Sequence, residues 1–361
     1  MRQLATIRKI ANIRPIPGAD RIVVAQVDGW ECVVQKDEFR VGQEIVYIEV
    51  DSIVPELPQF EFLRDRKFRV RTIKLRGQVS QGLVLPMSIL PDPGKYGLDD
   101  DVTKVLGIKK YDPEAQQEAL LMQKQPQKPK SKFAQFMMRF KWYRKMFMKP
   151  KRKGGFPDWI SKTDETRIQN LTTLFDIERK NGTKFSVTEK VDGQSATYYL
   201  RKLSKRKYEF GVCSRNIYLG TPDNSSYWTV AKKYDIEGVL RKLIGDYETV
   251  VLQGEICGNQ IQGNKYHISG YELFAFNLIY PDHKCETAEI RDLLAPFGIK
   301  SVPIVAEDVV LPNTIAELVE YSKGKSTVRK EQKREGIVMR NVQKNISFKV
   351  INPDFLLAEK D

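Results

Sequence analysis

Histidine is almost missing from this chain. Its 361 residues include two, His267 and His283. That is too few for a Ser-His-Asp hydrolytic machine or a histidine-rich metal centre, so any metal is expected to be a hard cation on carboxylate oxygens. Cysteine is scarce as well. Cys32, Cys213, Cys257 and Cys285 lie far apart with no Cys-x-x-Cys, which argues against a zinc site and a disulfide framework and fits a reducing interior. No run of about 18 apolar residues and no signal peptide is found, so neither membrane insertion nor secretion is expected. The expected location is intracellular, in cytoplasm or nucleus, with a virus-encoded origin left open. Acidic residues are missing from one stretch in particular. Residues 124–153 hold twelve Lys or Arg and no acid, and taking these from the net charge of +14 leaves +2. The basic balance therefore describes mainly one segment, and it favours a polyanionic partner.

What is present reads as globular: 41% hydrophobic and 29% charged residues, in a length that implies two domains. Residues 1–105 carry short strands with turn signals. Segments 22–27 and 30–34 flank Asp28-Gly29, a strong hairpin signal. A turn and strand at 41–48, a basic run at 66–77 and a segment at 78–86 complete the set. About five short strands with glycine-rich corners predict a small closed all-β barrel of the OB type. In the basic run Phe68 and Val70 alternate with Arg69 and Arg71, followed by Lys74 and Arg76, so one face is cationic. It reads as a solvated strand face or as a surface for a nucleic-acid backbone.

Residues 106–155 form a connector. Gln125-Pro126-Gln127-Lys128-Pro129-Lys130 is linker-like. After it Phe133, Phe136, Met137, Phe140, Tyr143 and Phe147 fall near helical spacing, with Lys132, Arg139, Lys141, Arg144 and Lys145 between them. A basic amphipathic helix is predicted. It docks on a domain, lies along phosphates, or sits at a membrane surface.

The second domain, 156–361, alternates helical and strand-like segments. Helices are predicted over 164–180, 226–245, 290–297 and 314–322, and strands over 249–252, 271–279, 336–340 and 346–351. The pattern is α+β, built on antiparallel sheets with helices. Within it Thr188-Glu189-Lys190-Val191-Asp192-Gly193 places a lysine at the end of an apolar strand, two residues before an Asp-Gly turn. Such a turn holds the lysine at a sheet rim. A free lysine, with a pKa of about 10.4, is protonated at neutral pH. To act as a nucleophile it needs burial, a neighbouring cation or a metal.

Companion motifs follow in order: Cys213-Ser214-Arg215-Asn216, Gln253-Gly254-Glu255-Ile256-Cys257-Gly258, Leu273-Phe274-Ala275-Phe276-Asn277, Glu335-Gly336-Ile337-Val338-Met339-Arg340 and Ser347-Phe348-Lys349-Val350-Ile351. With the lysine motif, this set resembles the covalent nucleotidyltransferases, which include DNA and RNA ligases and capping guanylyltransferases. Lys162-Thr163-Asp164-Glu165-Thr166-Arg167 and Ile261-Gln262-Gly263-Asn264-Lys265-Tyr266 resemble RNA ligases in particular. Ten residues follow Ile351, so the C-terminal OB module of DNA ligases and capping enzymes is not expected. A barrel-like domain comes first instead, as in RNA ligases that seal nicks in duplexes with an RNA 3′ end.

The resemblance implies residue roles. Lys190 is the nucleophile that becomes adenylated. Glu189, Asp192, Gly193, Glu255 and Phe276 bind the nucleotide, Phe276 by stacking on adenine with Phe274 as the fallback. Lys349 contacts the α-phosphate, and Arg215 the AMP phosphate or the RNA end. Glu335 and Glu255 hold Mg²⁺ or Mn²⁺. Arg69, Arg71, Lys74, Arg76, Gln262, Asn264 and Lys265 contact nucleic acid. One position departs from the family: the last motif commonly reads Lys-x-Lys, and here it is Ser347-Phe348-Lys349, with Lys344 the nearest candidate for the missing charge. The implied activity is that of a monomeric, ATP-dependent RNA ligase joining 3′-hydroxyl and 5′-phosphate ends. The alternatives are a non-catalytic nick or end sensor with a degenerate ligase core, supported by Ser347, and a GTP-using guanylyltransferase.

Overall fold

A computed structural model describes residues 3–112 and 154–358. The amphipathic helix expected over 133–147 lies outside them. The N-terminal unit is organised by a strand that the sequence pattern does not reveal, β1 (Ala5–Pro15). It pairs through its first half with β4 (Glu44–Ile48) and through its second with β2 (Ile22–Val27), and a bulge between Ile10 and Asn12 interrupts the second pairing. The bulge shifts the side-chain alternation mid-strand, which hides the period of two. The predicted hairpin of β2 and β3 (Trp30–Gln35) is present, with Asp28 at a φ of 50° in its turn.

With β9 (Leu83–Pro86) the strands form a curled five-stranded half-barrel in the order β3-β2-β1-β4-β9. A second sheet holds β5 (Ser52–Ile53), β6 (Arg69–Val70) and β10 (Lys109–Lys110). The basic run is not one strand. A 3-10 helix ends at Arg66, Lys67 and Phe68 take positive φ, and β6 is followed by a separate hairpin of β7 (Ile73–Leu75) and β8 (Gln78–Ser80). Phe68 and Val70 are nevertheless buried while Arg69 and Arg71 stay partly exposed.

The second unit has two sheets. Their strands are β11 (Gly154–Gly155), β12 (Phe185–Lys190), β13 (Gln194–Ser204), β14 (Lys207–Cys213), β15 (Ile217–Tyr218), β16 (Thr249–Gly258), β17 (Tyr271–Ile279), β18 (Lys300–Ser301), β19 (Ile304–Val309), β20 (Gly336–Asn341) and β21 (Ile346–Ile351). The larger runs β11-β15-β14-β13-β16-β17-β18 and the smaller β19-β12-β20-β21. The helix expected over 164–180 is shorter. A 3-10 turn at Ile168–Asn170 precedes α1 (Thr172–Lys180), and Leu171 (φ −122°, ψ 40°) breaks between them. The helical stretch over 226–245 is split into α2 (Ser226–Lys233) and α3 (Ile236–Leu243) by Asp235. Its φ is 45°, and its side chain accepts from the Gly238 amide. Helices α4 (Thr287–Leu294), α5 (Ile315–Tyr321) and α6 (Pro353–Ala358) follow.

Strand alternation decides where the chemistry sits. In the smaller sheet Phe185, Val187, Ile337, Met339, Phe348 and Val350 form one core. Phe185 and Phe348 meet edge to face with centroids 5.5 Å apart, an arrangement that adds about 0.5–1.5 kcal/mol beyond area burial. The alternate residues Thr188, Lys190, Val338, Arg340 and Lys349 therefore face the other way, into a cleft. In the larger sheet Val250, Leu252 and Ile256 of β16 pack against α2 and α3, which leaves Glu255 on the cleft side.

The two units meet closely. The Gly29 amide donates to the Gln169 carbonyl at 3.2 Å, and a Cβ on Gly29 would lie 2.7 Å from the Gln169 Cα. The Trp30 indole donates to Asn170 at 2.6 Å, while Arg167 lies over the Trp30 ring and pairs with Asp51 at 3.0 Å.

Candidate active site

The cleft between the two units has a volume of about 1040 Å³. Lys190 ends β12 inside it, and its ammonium lies 2.6 Å from Glu335 Oε2. The pairing of Lys190 with Gly336 across β12 and β20 fixes this contact. Burial works to lower the Lys190 pKa, but the carboxylates of Glu335, Glu255 and Asp192 outweigh it, so the amine sits above its usual range. Burial pushes the Asp192 carboxyl up to about 6; Glu335 adds to the shift, and Lys265 and Lys190 oppose it.

The Asp-Gly turn is clamped from several sides. Lys265 reaches Asp192 at 2.6 Å and lies over the Phe355 ring, and the Asp192 amide donates to the Tyr266 hydroxyl at 2.9 Å. Gly193 is required by space: a Cβ there would lie 2.4 Å from the Ile256 carbonyl oxygen. Gly193→Ala is expected to cost about 1–3 kcal/mol through overpacking and to displace Lys190. Melting temperature and self-adenylation should both fall; a variant matching wild type in both would show that the turn has slack.

Of the other sequence-predicted residues, Glu189, Arg215, Glu255, Phe276 and Lys349 line the cleft. Glu189 is buried and accepts from the Thr327 amide at 2.7 Å. Phe274 packs in a core instead of the cleft. Arg215 pairs with Asp164, whose carboxyl burial would raise but which the charges of Arg215, Lys110 and Lys349 hold below its usual range. Gln262 and Lys265 line the cleft, whereas the Asn264 side chain brackets Ile268, bonding its amide and its carbonyl. On the barrel side Arg69 and Arg71 line the cleft, with Arg69 bound to Asp51 and stacked 3.6 Å from the Tyr111 centroid. Lys74 and Arg76 are exposed on the β7–β8 hairpin and do not line it.

Several lining residues are ones to which the sequence assigns no role, although Arg66 and Lys67 open the basic run and Arg340 ends a motif. Asp51, Arg66, Lys67, Lys110 and Tyr111 come from the first unit and reach the site only through the docking described above. Arg340 is the most consequential addition. It stands opposite Ser347 across β20 and β21, donates to the Phe276 carbonyl at 2.6 Å, and sits with the Ser347 hydroxyl (3.3 Å) and Glu165 (3.4 Å). Ser347 donates to Glu165 at 2.8 Å. Lys344 points elsewhere, into Glu178 and Thr183 at 2.6 and 2.7 Å. Among the described residues no three or more carboxylate, imidazole or thiolate groups are gathered closely enough to hold a metal by themselves.

A family model described as an OB-fold domain matches residues 4–87, and one described as RNA ligase matches residues 183–351. The solved structure of a mutant Naegleria gruberi RNA ligase with AMP and Mn is 32% identical over 100% of both chains, with a TM-score of 0.80. The chain belongs to the RNA ligase family. The same Naegleria ligase with PPi is 33% identical over 99% of this ligase and 98% of that chain, with a TM-score of 0.79. A further mutant with ATP and Mn is 32% identical over 98% of each, with a TM-score of 0.78. No curated protein sequence matches. The ligase thus carries an N-terminal OB-fold domain ahead of its catalytic domain, and among its described residues no helix is long and apolar enough to cross a membrane.

Proposed function

We propose that this ATP-dependent RNA ligase seals nicks in duplexes whose broken 3′ end is RNA, through a lysyl-AMP intermediate on Lys190. The contact of Lys190 with Glu335, on the floor of a cleft walled by cations of both domains, carries the proposal. The Naegleria gruberi structures contain ATP with Mn, AMP with Mn, or PPi, the species such a cycle uses and releases.

Lys190 Nζ gives up its proton and attacks the α-phosphorus of ATP. A P–N bond forms, the bond to the bridging oxygen breaks, and pyrophosphate leaves. AMP then passes to an oxygen of the RNA 5′-phosphate as the P–N bond breaks and the lysine regains a proton. Finally the 3′-hydroxyl, losing its proton, attacks that activated phosphate, the phosphodiester forms and AMP departs. Position and charge supply most of the catalysis. Phe276 would stack on adenine, Lys349 would meet the α-phosphate, and Arg215, held by Asp164, would hold phosphate oxygens.

The donor set suits Mg²⁺ or Mn²⁺. Glu335 and Glu255 flank Lys190 with oxygen ligands, and such ions commonly bind one or two carboxylates together with waters and substrate phosphates. Such an ion supplies charge neutralisation on phosphate. Arg340 would replace the lysine that the family commonly has at position 347, delivering a cation to Glu165 from the neighbouring strand. The test of the whole reading offers labelled ATP and then nicked duplexes whose 3′ strand ends in RNA or DNA. Covalent label on the denatured protein, stable to alkali and released by acid as a P–N bond requires, and preferential sealing of RNA ends are expected. Label from GTP alone, or equal sealing of DNA ends, would overturn the nucleotide or the strand assignment.

A further inference from the structure

Between α5 and β20 lies a segment that the mechanism does not use. Residues 323–334 contain six Lys or Arg and one acid, Glu331. None of the twelve lines the cleft. The segment has a built conformation. The Ser326 amide donates to the Gln332 carbonyl at 2.8 Å and the Arg334 amide to the Gly324 carbonyl at 3.0 Å, and Lys325 bridges Lys333 in antiparallel fashion. Ser326 is buried, and its hydroxyl accepts from the Val328 and Arg329 amides. Val328 packs on the cluster of Val191, Tyr266 and Phe274.

Three of the six cations have local work. Arg334 donates to the Tyr321, Ser322 and Lys323 carbonyls at the end of α5. Lys323 pairs with Glu320, and Arg329 with Glu331. Lys325, Lys330 and Lys333 are exposed and have no acidic partner among the described residues. Lys325 and Lys333 stand directly opposite one another, an arrangement of like charges that lowers stability. Folding alone gives no reason to keep it; a bound polyanion does.

The segment's position identifies the polyanion. The Thr327 amide holds Glu189, the residue before Lys190, and the segment runs directly into Glu335, which touches Lys190. We infer that Lys325, Lys330 and Lys333 form a docking surface for the phosphate backbone of the RNA substrate, outside the nucleotide cleft and beside the nucleophile. The inference rests on Lys190 being the adenylated residue. Lysines on flexible stems suit this task, since they act as point charges that follow a backbone without reading sequence.

The test compares wild type with Lys325→Glu/Lys330→Glu/Lys333→Glu, and with the milder triple change to glutamine. Three readouts are taken: melting temperature, self-adenylation from labelled ATP, and affinity for a nicked RNA duplex from about 50 to 200 mM salt. Melting temperature and adenylation should hold. The glutamate variant should bind roughly tenfold or more weakly, and in the glutamine variant the slope of log affinity against log salt should shrink by about three, one for each phosphate contact. An unchanged affinity and slope would make the surface a solvated face and overturn the inference. So would a fall in adenylation that parallels the fall in binding, because the segment would then serve the catalytic fold. Failure of wild type to take up label would instead refute the Lys190 reading, which keeps the two failures apart.

Discussion

Lys190→Ala should abolish covalent labelling of the protein by ATP while leaving the last chemical step largely intact. The attack of a 3′-hydroxyl on a 5′-adenylated strand uses no lysine nucleophile, so an RNA supplied with AMP already on its 5′ end should still be joined. The loss in the first step should be at least about 10⁴-fold, since Lys190 is the amine placed on Glu335 while the neighbouring Lys265 is tied to Asp192, and proximity alone is worth many powers of ten. Persistent labelling of the variant would move the covalent site elsewhere, and failure to join pre-adenylated RNA would mean that Lys190 also serves the last step. The same amine predicts a pH profile. The Lys190 pKa is raised because Glu335, Glu255 and Asp192 together outweigh burial. The unprotonated, reactive form is therefore scarce at neutral pH, and adenylation should climb as pH rises. In Glu335→Gln the nearest carboxylate is gone, so the rise should begin at lower pH, although its plateau should drop with loss of the proposed metal ligand. A midpoint that stays put would show that Glu335 does not hold the proton.

Arg340→Ala should be the next most damaging change, and Ser347→Lys should repair it. The guanidinium donates to the Phe276 carbonyl at 2.6 Å and lies beside Glu165 and Ser347. Burial lowers its pKa, with the Glu165 charge opposing, so the cation is held in place by its neighbours. Deleting it leaves a half-buried carboxylate, still held by Ser347, and a carbonyl without that donor. The loss of a charged hydrogen bond costs about 1.5–3 kcal/mol, which corresponds to roughly a 10- to 150-fold lower rate of self-adenylation per ATP concentration. A lysine at 347 approaches Glu165 from the opposite strand. Ser347→Lys in the Arg340→Ala background should recover most of that loss, whereas Ser347→Lys alone should change activity by no more than a few-fold, as two cations would then share one acid. Melting temperatures of all four proteins serve as the control. If the double variant stays as slow as Arg340→Ala, the position of the charge matters less than the brace to Phe276, and the family's second lysine has no substitute here.

Much of the catalytic domain is legible in the sequence because its strands alternate cleanly. Phe185 and Val187 announce the core face, so Thr188 and Lys190 must lie on the other; the same logic sets Lys349 against Phe348 and Val350. The pairing of Arg340 with Ser347 is also within reach, since a short turn between the last two strands fixes which residues stand opposite. What alternation cannot supply is the bulge in β1, which resets the pattern at Ile10, or the break at Leu171, a backbone state with no compositional signal. Nor can local pattern bring Asp51, Arg69 and Tyr111 to a lysine 139, 121 and 79 residues downstream. Those depend on a glycine at position 29 letting two backbones touch and on an arginine, Arg167, lying over Trp30. Motif order located the chemistry; tertiary docking alone located its other wall.

That docking reaches further than the interface itself. Arg167 pairs with Asp51 of the OB domain, and in the same short segment Thr166 accepts from the Lys349 amide while Arg167 bridges Lys349. One stretch of chain therefore ties the strand carrying Lys349 to a neighbouring domain, as a surveyor's line ties a mark to a distant benchmark. The OB domain, besides any grip it has on RNA, is the datum from which the position of Lys349 is measured.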